Sequence, residues 1–225
     1  MRLFIFLLLV GLPLVRLTAQ TKLPFEAEIR AFERLDSLEK PAKGQILLYG
    51  SSSMRLWTTY KQDLVGYSVV NRGFGGSQMS DAIYYFDRIV LPLEPSLILL
   101  YEGDNDLSNG KKTPTQVFED YQVFMKMVHQ KLPKTKVAIY SLRPSLAREG
   151  MMPQQKALNA MFRQYCKKHR KRAFYIDMYS TLLTPEGKPN GDYLVADKLH
   201  LNAKGYTVWT QATLAFLKKR HLDRQ

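Results

Sequence analysis

Asp197-Lys198-Leu199-His200 sets a carboxylate three residues ahead of one of the chain's four histidines, just before a helical pattern that opens at Ala203. A carboxylate so placed can accept the imidazole Nδ1–H, fix the tautomer and leave Nε2 to take a proton from a serine hydroxyl. That is the base end of a catalytic triad, and the serine must come from elsewhere. Gly50-Ser51-Ser52-Ser53 follows the apolar run at 46–49 and offers candidates at a strand-to-helix turn. A serine at such a turn can equally serve as a helix N-cap, so the serine block alone decides nothing. Asp104 and Asp106 compete with Asp197 for the role of acid. Asp197 is preferred for its spacing to His200.

Other chemistries find little support. His129, His169 and His221 sit in or beyond helical patterns among basic neighbours and read as solvated, and no two histidines have ligand spacing. Cys166, the single cysteine, excludes an intramolecular disulfide and has no partners for a metal, so neither metal nor cofactor is expected. It reads as packed on a helix face, because no strand-to-helix turn presents it as a nucleophile.

The elements that must position these residues alternate along the chain. Residues 24–40 carry Phe25, Ile29, Phe32, Leu35 and Leu38 at helical spacing, closed by Pro41 and Gly44. Five apolar runs follow at 46–49, 67–71, 97–101, 137–141 and 174–177, nearly continuous in hydrophobicity, as strands buried on both faces of a parallel sheet must be. Helical stretches are predicted at 54–62, 77–90, 114–131, 154–169 and 203–220. This alternation predicts an α/β fold, a three-layer α/β/α sandwich with its chemistry outside the carboxyl ends of the strands. The 225 residues suffice for one well-filled core, and no repeat or low-complexity linker divides them.

The first twenty residues differ from the rest. Met1-Arg2 precedes an apolar stretch, and Leu17-Thr18-Ala19-Gln20 resembles a cleavage region, so residues 1–20 are expected to be a signal peptide and 21–225 a single domain. An uncut anchor is the alternative, but the apolar run is short for a span, and no later stretch spans a membrane. Export without a disulfide fits a bacterial periplasmic or secreted protein. The formal charge is +13, and losing Arg2 and Arg16 with the leader leaves +11. The cations gather at 167–172 and 218–220, the expected ends of helices, where they complement the helix dipole. An exported chain is not expected to meet nucleic acid. Anionic glycans or lipid head groups are the polyanions left to it.

Three further blocks complete a pattern: Asn71-Arg72-Gly73-Phe74-Gly75-Gly76-Ser77, Tyr101-Glu102-Gly103-Asp104-Asn105-Asp106 and the Asp197-to-His200 segment, in that order after Gly50. Together the four blocks resemble the SGNH (GDSL-type) family of serine esterases and acylhydrolases, from about Ile46 to Tyr206. The resemblance implies a flavodoxin-like five-stranded parallel sheet. The family's first block reads Gly-Asp-Ser. Keeping Gly50 in register puts the nucleophile at Ser52 and leaves Ser51 where the family has Asp, with Ser53 and Ser51 as the other candidates. The resemblance also implies an oxyanion hole made of the Ser52 N–H, the Gly76 N–H and the Asn105 side-chain amide, with Asp197 and His200 completing the triad.

The implied activity is hydrolysis of carboxylic esters through an acyl-serine, with short acyl groups on carbohydrate as the leading substrate. Lipid or lysophospholipid esters, glycan O-acetyl transfer and a silent carbohydrate-binding protein are the alternatives. Arg143 and Arg148, in the loop after the fourth strand, are candidates to bind an anionic group on the substrate. A flavodoxin-like nucleotide binder is disfavoured, because the loop after the first strand has neither phosphate-binding glycine pattern.

Overall fold

The computed structural model describes residues 24–220 apart from Asn109 and Lys111; the expected leader and His221 lie outside the described residues. Five strands, β1 (Ile46–Gly50), β2 (Val69–Gly73), β3 (Leu97–Tyr101), β4 (Lys136–Tyr140) and β5 (Ala173–Ile176), form one parallel sheet in the order β2-β1-β3-β4-β5. Each expected strand is present, shifted by at most two residues. β1 and β3 are buried at every position, which is why their sequences show no polar alternation.

Side chains alternate across the sheet and so divide its two faces. Leu100 pairs with Tyr49 and with Ile139, so these share one face, where Tyr49 stacks on Phe124 at 6.0 Å. Phe124 belongs to α7 (Pro114–Lys131), and α8 (Met152–Lys168) packs beside α7 through Phe162 and Tyr121, 4.3 Å apart. On the other face Tyr101 and Tyr140 meet Trp209 of α9 (Ala203–Lys219) at 5.1 and 4.9 Å. Trp209 is fully buried, and its removal would cost about 3–5 kcal/mol in lost packing. Helices therefore cover both faces, the three-layer arrangement expected from the alternation.

Two expected helices are each broken. Residues 54–62 form α2 (Ser52–Arg55) and α3 (Tyr60–Asp63), separated by Trp57. The Trp57 ring is fully buried against Tyr206 and Trp209, and its indole N–H donates to Asp63 at 2.6 Å. The backbone turns tightly here, with Thr58 N–H donating to the Leu56 carbonyl at 2.9 Å, and Thr59 restarts the helix as its carbonyl accepts the Gln62 and Asp63 N–H groups at 2.9 Å each. Residues 77–90 likewise divide into α4 (Met79–Tyr84) and α5 (Phe86–Ile89) around the buried Tyr85, whose hydroxyl donates to the Pro24 carbonyl. The N-terminal helix α1 (Glu26–Leu38) is held to α5 by Arg88, which binds Glu26 and Glu33 at 2.7 Å each.

The cation runs fall where expected, with Lys167 and Lys168 in the last turn of α8 and Lys218 and Lys219 in that of α9. Among the described residues, no helix is long and apolar enough to cross a membrane.

Candidate active site

The chain leaves β1 through Gly50, at φ 131°, where an added Cβ would lie 2.0 Å from the Tyr101 carbonyl oxygen. Only glycine permits this sharp exit beside β3. Ser51 N–H then donates to the same Tyr101 oxygen at 3.1 Å, and Ser52 opens α2. Because β1 lies between β2 and β3, the loops after β1 and β3 diverge at the switch point of the sheet, where α/β folds place their ligand crevice.

Ser52 is the serine the structure brings to the imidazole: its Oγ lies 3.0 Å from His200 Nε2. Ser51 and Ser53 are both 3 % exposed. The Ser53 carbonyl accepts the Tyr206 hydroxyl at 2.9 Å, and its Oγ lies 3.4 Å from Arg143 Nη2. His200 Nδ1 lies 2.6 Å from Asp197 Oδ2. An ionised carboxylate only accepts, so Nδ1 carries the proton and Nε2 is left to accept from Ser52. Burial works to raise the Asp197 pKa, but the imidazole bond and the backbone N–H groups of His200 and Leu199 outweigh it and hold the carboxyl at about 2. Those amides donate to Oδ1 at 2.9 and 2.8 Å. Asp197 is thus ionised throughout the neutral range.

The turn that carries the pair is rigidly closed. Val195 N–H donates to the His200 carbonyl at 2.9 Å, Lys198 takes a left-handed φ of 59°, and Asn202 caps α9 through Gly205 N–H at 3.1 Å. The competing acids, both in α6 (Asp104–Ser108), are engaged elsewhere. Asp106 accepts the Met79 N–H at 3.1 Å and lies 3.3 Å from Lys112 Nζ, and Asp104 binds Arg148 and Gln155.

Gly76 and Asn105 come together, since a Cβ added at Gly76 would lie 3.8 Å from Asn105 Nδ2. Asn105 Nδ2 donates one hydrogen to the Ser77 carbonyl at 2.9 Å, which leaves its second. Among the described residues the N–H groups of Ser52 and Gly76 have no protein acceptor. Behind this loop Glu102 is fully buried, with Oε1 2.5 Å from Ser77 Oγ. Burial pushes its carboxyl well above the usual range, and the charges of Asp106 and Asp81 add to that, with the Ser77 bond opposing them.

The two arginines expected at the substrate stand otherwise. Arg143 is only 2 % exposed; it lies behind the serine turn, and among the described residues its Nε and Nη1 have no partner. A guanidinium enclosed this way does not reach a substrate, so the expected contact is corrected. Arg148 donates to Asp104 Oδ2 at 2.5 Å and to Asn105 Oδ1 at 2.8 Å, so two of its five N–H groups are held by the protein. His129, expected to be solvated, is partly buried, and burial lowers its pKa, with Arg172 and His169 adding to the effect. Cys166 is buried on α8 as expected. Sequence spacing missed Gln155 and the Tyr206 hydroxyl as supports of the site. Their only signal is a polar group amid an apolar pattern.

A profile of the GDSL-like lipase/acylhydrolase family matches residues 47–208, and the chain belongs to this family. The match spans every strand but the first residue of β1, and all four polar blocks. Solved structures share the fold at low identity. A GDSL-like lipase from Bacteroides thetaiotaomicron is 19 % identical with a TM-score of 0.73, the alignment covering 86 % of this chain and 98 % of that one. An acetyl xylan esterase is 18 % identical with a TM-score of 0.64, covering 76 % and 98 %. A carbohydrate esterase family 3 protein from Talaromyces cellulolyticus is 16 % identical with a TM-score of 0.61, covering 78 % and 97 %. Comparison with curated protein sequences gives no match.

Proposed function

We propose that this chain is an exported serine esterase that removes short acyl groups, acetyl foremost, from carbohydrate. The observation that carries the reading is the unbroken hydrogen-bond line from Ser52 Oγ through the His200 imidazole to Asp197. In this reading His200 Nε2 takes the Ser52 proton as Oγ attacks the ester carbonyl. The oxyanion that forms accepts hydrogen bonds from the Ser52 and Gly76 N–H groups and from Asn105 Nδ2. His200 then returns the proton to the departing alkoxide, and the acyl group stays on Ser52. Water, deprotonated by the same imidazole, attacks the acyl-serine; the acyl–Oγ bond breaks, His200 returns the proton to Ser52 Oγ, and the acid leaves.

Each donor is neutral and fixed before substrate arrives, which is what makes an oxyanion hole effective. Support for a carbohydrate substrate comes from the fold likeness to an acetyl xylan esterase and to a carbohydrate esterase. The test is hydrolysis of p-nitrophenyl acetate, butyrate and octanoate, and of acetylated xylan, by residues 21–225 with Ser52→Ala and His200→Ala as controls. Turnover that falls steeply with chain length and vanishes in both controls is expected. Equal turnover in Ser52→Ala would overturn the assignment, and a preference for octanoate would move the substrate to lipid.

A further inference from the structure

Arg148 lies in a short 3-10 segment, Leu146–Met151, and its own φ of −126° and ψ of 25° break that segment's helical run. Its guanidinium reaches the start of α6, where it bridges Asp104 and Asn105. Asp104 is held in turn from the far side, since its Oδ1 accepts Gln155 Nε2 at 2.8 Å. The same Nε2 also reaches the Arg143 carbonyl at 3.0 Å. Gln155 is fully buried and Asp104 4 % exposed. The chain of contacts from α8 to the Asn105 amide is therefore largely shielded from water, where charge-assisted bonds are strongest.

The chemistry of the two neighbours sets the orientation of the amide. Arg148 has donors only, so Oδ1 must face it; the Ser77 carbonyl only accepts, so Nδ2 must face that side. With both in place the amide has one orientation, and its second N–H has one direction. A guanidinium on Oδ1 also draws electron density from the amide, which makes Nδ2–H a stronger donor.

The segment has a second tie: Ala147 N–H donates to the Lys198 carbonyl at 3.0 Å, within the turn that carries Asp197 and His200. One short stretch thus spans from the oxyanion side of the site to its base.

We propose that Arg148 is a positioning residue that orients and polarises the Asn105 amide for the transition state, anchored by Asp104 and Gln155, and does not bind substrate. This inference rests on the assignment of Asn105 as an oxyanion donor. An interaction realised in the transition state shows in kcat, whereas a substrate contact shows in KM.

The experiment is a double-mutant cycle on p-nitrophenyl acetate with Asn105→Ala, Arg148→Met and the pair, plus Arg148→Lys and Asp104→Asn, all checked for fold by circular dichroism. Asn105→Ala is expected to lower kcat about a hundredfold. Arg148→Met is expected to lower kcat about tenfold at nearly unchanged KM, the size of one charge-assisted hydrogen bond. Asp104→Asn should give a smaller fall and Arg148→Lys a partial rescue. In the Asn105→Ala background Arg148→Met should lower kcat no further, because the residue acts only through that amide. A fall in the double variant equal to the product of the two single effects would mean general damage to the site and overturn the proposal. So would a rise in KM at constant kcat, which marks a substrate contact. If Asn105→Ala itself leaves kcat unchanged, the assignment of Asn105 fails first, and the role of Arg148 with it. If Asn105→Ala lowers kcat and Arg148→Met does not, only the role of Arg148 fails.

Discussion

Replacing Glu102 by glutamine is expected to leave the protein folded and active and to make it more stable as pH rises. Ser77 has one hydroxyl proton and two neighbouring oxygens, the Phe74 carbonyl at 3.1 Å and Glu102 Oε1 at 2.5 Å. Given to Phe74, that proton leaves Glu102 to donate in turn, and a carboxyl that donates is protonated. Among the described residues no cation pairs with it, and burial, with the charges of Asp106 and Asp81 adding to it, drives its pKa well above 4.5. The unfolded chain releases this proton near pH 4.5 while the folded chain keeps it. The folded state therefore binds more protons, and stability falls with rising pH by about 1.4 kcal/mol per unit until the folded carboxyl ionises. Glutamine keeps the shape and donates its amide hydrogen to Ser77 Oγ, but it has no proton to lose. The difference in unfolding free energy between Glu102→Gln and the parent should grow in the variant's favour as pH rises above about 4.5, by at most about 1.4 kcal/mol per pH unit. Urea unfolding followed by tryptophan fluorescence at four pH values measures it, and turnover should stay within about threefold because the Gly76 loop keeps its support. A difference that does not change with pH would refute the reasoning, since it would mean that Glu102 titrates alike in both states.

Ser53→Ala and Ser51→Ala should each retain turnover, because their side chains are buried away from His200, and an organophosphonate should label both variants but not Ser52→Ala. Burial pushes the Cys166 thiol up to about 12, so it should resist thiol reagents in the native protein at about pH 8 and react fully in urea. Hydrogen bonds from Arg88 and Arg30 hold Glu26 at about 2 against a usual 4.5, and Arg88 lowers Glu33 as well. The stability these pairs give to α1 is present above about pH 4.5 and lost as pH falls toward about 2, so the melting temperature should drop across that window. Arg88→Ala should flatten the drop, and an equal drop in both proteins would exclude the pairs as its cause.

The chain read alone was enough for the sheet and most of its helices. Strands β1 and β3 are apolar at nearly every position because both of their faces are covered, and α7 and α9 keep helical spacing over their whole length. It also determined the Asp197 to His200 pair, because three residues of chain hold the two side chains within one turn whatever the rest of the fold does. Packing settled what depends on direction. Ser52 lies 148 residues from His200, and three adjacent serines are alike in sequence; which one faces the imidazole follows from the Gly50 exit and from the Tyr206 hydroxyl that pins the Ser53 carbonyl. The break after Arg55 came from a tight turn at Leu56 to Thr58 that periodicity does not register, since Met54 and Trp57 keep helical spacing and are both buried. Arg143 and Arg148 are five residues apart in one polar loop, yet one is enclosed behind the serine turn and the other is bound to Asn105. A guanidinium's partner is set by which acceptors packing brings within about 3 Å, and that distance is a property of the folded chain alone.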